Sequence, residues 1–156
     1  GATALAWMTA AAGLGAIFAS FWLAWRARIE GLTGVVIFNI ALGGAAVTGF
    51  TLVSQFWWSL PFLVVAGFAT LVSGVGTQTL VQSALDSSYR GRVMSFYGIV
   101  IGAAPALGAL AMGAVGDLTG LRWPVGVGGG LAVVVWMAAL RMRRRLSASL
   151  EAPPAI

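Results

Sequence analysis

The stretch Asp86-Ser87-Ser88-Tyr89-Arg90-Gly91-Arg92 decides the fold. It is polar and charged, and it separates two long apolar runs, Phe56 to Leu85 and Val93 to Val115. An arginine at a bilayer centre costs roughly 2.5–3.5 kcal/mol on the insertion scale. Arg90 and Arg92 therefore belong in water or among lipid headgroups, and they pin the register of the runs on either side.

Composition extends this reading to the whole chain. Of 156 residues, 60% are hydrophobic and 8% charged, where a soluble domain carries about 25% charge. The mean hydropathy is +0.95. A single soluble core of this size cannot hide so much apolar surface, so the expected class is an all-α integral membrane protein. The net charge of +5 comes from arginine alone, with no Lys or His to add to it. These arginines end apolar runs rather than lining a soluble face, which suits anionic lipid headgroups and argues against nucleic acid as a partner.

Five apolar runs are long enough or nearly long enough to span, at about 2–25, 32–53, 56–82, 93–115 and 123–140. A transmembrane helix needs about 20 residues. The first run lacks the basic start of a signal peptide and is too long for one. The chain opens on Gly1 rather than Met, which reads as a piece of a longer protein or a processed product. The third run carries Pro61 near its start, where a helix tolerates it, and its last part, Thr77 to Leu85, is amphipathic. Gly116 to Arg122 reads as a turn, and 146–156 as a disordered cytoplasmic tail.

Five spans put the termini on opposite sides. Arg26, Arg28, Arg90, Arg92, Arg141, Arg143, Arg144 and Arg145 then share one side, and Arg122 stands alone on the other. The positive-inside rule places the eight in the cytoplasm and the N-terminus outside. Trp22 and Trp25 fall at the inner boundary and Trp57, Trp58 and Trp123 at the outer one, as an aromatic belt requires.

Enzyme chemistry has little material. The acids are Glu30, Asp86, Asp117 and Glu151, all outside the spans, and the chain has no Cys, His or Lys. A metal cluster or a nucleophile–base pair needs residues that are missing; no catalytic residue, metal site or cofactor is expected. The pairs Gly13/Gly15 and Gly74/Gly76 complete no dinucleotide fingerprint and read as packing sites. In the fourth run Gly98, Gly102 and Ala106 recur every four residues, with Gly108 and Gly113 beyond, a face that lets membrane helices approach closely. Gly102→Leu is expected to disturb that packing. Pro105 removes the bond to the Ile101 carbonyl and frees a bend there.

Gln78 and Gln82 are four apart and share a helix face, widened by Thr79 and Ser83. Two readings stand: interhelical hydrogen bonds, or the lining of an aqueous pathway. Asn39, alone on its run, reads as a packing amide. Asp86 and Arg90 become an i,i+4 pair if the third helix continues through the hinge, worth a few tenths of a kcal/mol. Asp86, Arg90, Gly91 and Arg92 then mark either a topology signal or a gate at the cytoplasmic mouth. An exposed latch of this kind is weak enough to break in each cycle.

Several of these residues resemble one family. Gln82, the run Tyr89-Arg90-Gly91-Arg92-Val93-Met94, Gly102 with Ala104-Pro105-Ala106-Leu107-Gly108, Gly113, and Gly116-Asp117 through Gly120 resemble the tenth and eleventh helices of major facilitator superfamily transporters. The nearest likeness is to the bacterial multidrug and siderophore exporter branch. The resemblance implies that the five runs are helices eight to twelve of a twelve-helix protein built from two six-helix halves. It implies alternating access, an inner-membrane location, export of amphipathic small molecules, and partners in the remaining N-terminal helices and the lipid bilayer. It also assigns the pathway to the first, third and fourth runs and makes the second and fifth peripheral. The loop after the family's eighth helix carries an Asp-Arg-rich signature, of which only Arg26, Arg28 and Gly31 remain here, without the Asp. The alternative function is a small membrane scaffold that transports nothing.

Overall fold

Hydrophobicity on all sides of a segment, rather than on one stripe, marks a helix whose surroundings are uniformly apolar. The computed structural model describes residues 1–26, 28–119, 128 and 131–142. Helix α1 is Ala2–Arg26, α2 is Leu32–Leu52, α3 is Phe56–Ala84 and α4 is Ser87–Thr119. All four contain a span long and apolar enough to cross a membrane. A shorter apolar helix, α5, covers Leu131–Met142. No strand occurs among the described residues. Residues 123–127, 129–130 and the tail 146–156 lie outside them.

Two boundaries differ from expectation. Helix α4 starts six residues before Val93, so Arg90, Gly91 and Arg92 form its first turns rather than a loop. It also runs on through 116–119, where the sequence reads as a turn. The reason is local. Leu85 adopts an extended conformation that ends α3, and the Asp86 carbonyl then accepts the amides of Tyr89 and Arg90, which starts a new helix at once. Between α1 and α2, Gly31 turns the chain with φ 71, a left-handed conformation that glycine adopts without strain.

Helix α3 is the centre of the packed part. It lies between α1 and α2, which barely meet each other. The α2–α3 register is antiparallel: Gly49 meets the Phe62 ring, Gly43 meets Ala69, and Gly76 meets Val36 and Leu32. The α1–α3 pair runs parallel, with Ala12 and Gly15 against Val64–Phe68 and Trp22 tilted on Phe68, ring centroids 6.1 Å apart. A Cβ on Gly15 would collide with the Val64 carbonyl, and one on Gly67 with the Ala12 carbonyl. So backbone approaches backbone here. The buried face of α1 is Ala11, Gly15 and Ala19, one small residue per turn.

This is the association expected in lipid, where apolar burial drives nothing and contact is gained by close approach. Several hydroxyls bond within their own helices. Thr9, Ser20, Thr48, Thr79 and Ser95 each donate to the carbonyl four residues back. That satisfies them without a partner helix, as a medium with no water demands.

Helix α4 is different. None of its apolar span is buried. A Cβ on Gly98, Gly102, Gly108 or Gly113 would meet nothing within 4 Å. The small face around Gly102 therefore has no neighbour among the described residues. Close packing occurs instead at Gly15, Gly67, Gly43, Gly49 and Gly76. Of the glycine pairs noted in the sequence, Gly15 and Gly76 pack closely, while Gly13 and Gly74 face open space. The α5 helix reaches α2 at Gly44, where an added Cβ would stand 3.0 Å from Ala132.

Candidate pathway face and hinge

The contact face of α3 settles where its glutamines lie. Val72, Gly76 and Leu80 are buried, four residues apart. Two residues on, about 200° around the helix, come Gly74, Gln78 and Gln82, all exposed. Thr70 continues the same row. So α3 presents one packed face and, across from it, a stripe of Thr70, Gly74, Gln78 and Gln82. The sequence reading found the glutamines but not Thr70 or Gly74; their four-residue spacing was the available signal. Thr79 and Ser83 flank the stripe, with their hydroxyls returned to Val75 and Leu80. Among the described residues neither glutamine forms a bond to another helix.

At the hinge, Asp86 and Arg90 do not pair side chain to side chain. The α3 helix stops at Ala84, so the i,i+4 arrangement that continuity would give is replaced by a corner. Arg90 Nη2 instead donates to the Leu85 carbonyl at 3.3 Å. That carbonyl stands at the C-terminal end of α3, where the helix dipole favours a cation. Arg90 thus ties the start of α4 to the end of α3. Asp86, Gly91 and Arg92 are exposed, and Ser95 donates to the Gly91 carbonyl one turn on.

Asn39 is buried on α2. Its Nδ2 donates to the Val35 carbonyl in its own helix at 3.0 Å, and its Oδ1 is buried with no partner. The amide lines a cleft of about 390 Å³ among α1, α2 and α3, walled by Trp22, Phe38 and Phe68. As a packing amide it therefore bonds within its helix rather than across to another.

The tandem of apolar helices, the corner at Asp86 and the small-residue contacts are features of many membrane bundles, so the comparison with known families decides between them. The family model of the Major Facilitator Superfamily matches residues 1–155. The chain belongs to that superfamily. No curated protein and no solved structure matches it. Membership makes the chain part of a multi-pass membrane transporter. Superfamily members transport rather than transform their cargo, in keeping with the scarcity of reactive side chains in this chain.

Proposed function

We propose that this superfamily chain supplies the eighth to twelfth helices of a secondary active transporter that exports amphipathic small molecules by alternating access. In this reading the stripe Thr70, Gly74, Gln78 and Gln82 faces the pathway, and the Asp86–Arg92 corner works as a cytoplasmic gate. The exposed small face of α4 receives helices of the N-terminal half. The observation that carries the reading is the polar stripe set opposite the packed face of α3. Polar side chains in a membrane helix face a bundle interior or a water-filled cavity, because lipid cannot satisfy them.

These 156 residues hold no cysteine, so an introduced one is the single thiol among them. Gln82→Cys and Gln78→Cys are expected to react with a membrane-impermeant thiol reagent in native membranes. Phe18→Cys, on an exposed apolar position of α1, is expected to stay unmodified. Equal protection of all three would mean that the stripe faces lipid, and the non-transporting scaffold would then be the better reading.

Orientation follows from the arginines. The pocket walled by Arg26, Arg28 and Thr79 sets the end of α1 beside the last turns of α3, the side to which Arg90 and Arg92 also belong. We place that side in the cytoplasm. A reporter fused after Arg145 is expected to be cytoplasmic, and one inserted within 117–122 extracytoplasmic. The reverse pattern would overturn the assignment.

A further inference from the structure

A second feature lies where α1, α2 and α3 meet, with Thr79 at its edge. Where α1 ends and α2 begins, a pocket of about 240 Å³ is walled by Leu23, Ile29, Leu32, Val75 and Gly76, with Arg26, Arg28 and Thr79 as its polar members. Among the described residues no carboxylate lines it. Arg26 is held in place: its guanidinium lies over the Trp22 ring, 5.6 Å from the centroid, and Nη2 donates to the Glu30 carbonyl at 3.1 Å. Its Nε is buried and has no partner among the described residues. A buried N–H on a permanent cation is costly to leave unmade, and planar guanidinium suits phosphate oxygens. Arg28 adds a second charge, and the positive end of α2 opens at Leu32 beside them.

We propose that this pocket binds the phosphate of an anionic phospholipid. Arg26 and Arg28 hold the phosphate, and the first part of an acyl chain lies along Leu23, Ile29 and Val75. The shared chemistry, a phosphate group, also fits a soluble phosphate ester. A lipid is favoured because the charged end of the pocket sits at the end of a 25-residue apolar helix, at headgroup level, and five of its eight wall residues are apolar. Basic pockets between membrane helices bind anionic headgroups for the same reason. The proposal does not depend on the transport reading.

The test is native mass spectrometry of the full chain in detergent, titrated with phosphatidylglycerol or with phosphatidylcholine of the same acyl chains. Phosphatidylglycerol is expected to bind one site preferentially. Arg26→Gln and Arg28→Gln are each expected to weaken that site about fivefold, the loss typical of one basic residue near a charged lipid. Arg141→Gln, which removes the same charge elsewhere, is expected to leave it unchanged. Equal binding of the two lipids by the unaltered chain overturns the proposal and needs no variant. So does equal weakening by all three substitutions. Displacement of the lipid by millimolar inorganic phosphate would overturn the lipid assignment in favour of a soluble phosphate ligand.

Discussion

Gly67→Leu is expected to break the α1–α3 contact, while Gly102→Leu leaves the fold of this chain intact. A Cβ on Gly67 would run into the Ala12 carbonyl, and the reciprocal position, Gly15, into the Val64 carbonyl. The obstacle is backbone within a helix on both sides, so no side chain can swing away. The helices must part, and close-range attraction falls off steeply with separation. Overpacking of this kind costs about 3 kcal/mol, and lipid offers no compensating apolar drive. A Cβ on Gly102 has nothing within 4 Å, so leucine there meets no obstacle among the described residues. Unfolding midpoints of the two variants in the same detergent check the contrast. Equal destabilisation would show that a helix covers Gly102 within the chain itself. In the assembled transporter, by contrast, Gly102→Leu is expected to lower the yield of folded protein, because that face then meets another helix.

Arg90→Ala is expected to slow transport more than it lowers expression. The side chain reaches the Leu85 carbonyl across the corner between α3 and α4. An exposed charged hydrogen bond of that length contributes about 1 kcal/mol. If the corner changes shape during the cycle, losing the bond moves the balance between two conformations about fivefold. Arg90→Lys keeps the charge at the end of α3 and is expected to recover part of the rate. Arg92 is also exposed but has no such contact among the described residues, and Arg92→Ala is expected to have the smaller effect. Efflux of a fluorescent amphipathic dye by the assembled transporter, normalised to its level in the membrane, is the measurement. Unchanged efflux in both alanine variants would leave the two arginines with a topological role only.

Much of this architecture follows from the chain's composition. Long runs without charge, ended by arginine, leave a helix as the only way to satisfy the backbone in lipid. This reasoning places α1, α2 and α3 and locates the corner near Asp86. The length of α4 was not visible in the same way. Its first turns contain Ser87, Arg90, Gly91 and Arg92, which hydropathy reads as loop. Only the amides of Tyr89 and Arg90 bonded to the Asp86 carbonyl show that the helix has already begun.

What the sequence could not decide was which small residues pack. The α1 series Ala11, Gly15 and Ala19 and the α4 series Gly98, Gly102 and Ala106 have the same four-residue spacing, yet the first is buried and the second exposed. Spacing says that a face is shallow enough for close approach; it does not say which helix arrives there. That depends on how the loops bring the helices together, which is a property of the tertiary structure. The same holds for Arg26. Its position at the end of an apolar run is evident from the sequence as a topology signal. The Trp22 ring beneath it comes from one turn back on α1 and is local, but the burial of its Nε, with no partner among the described residues, belongs to the packed structure. Local sequence determines where charge must meet water, because that cost is borne residue by residue; tertiary structure decides which charges are enclosed, because enclosure needs walls from three helices at once.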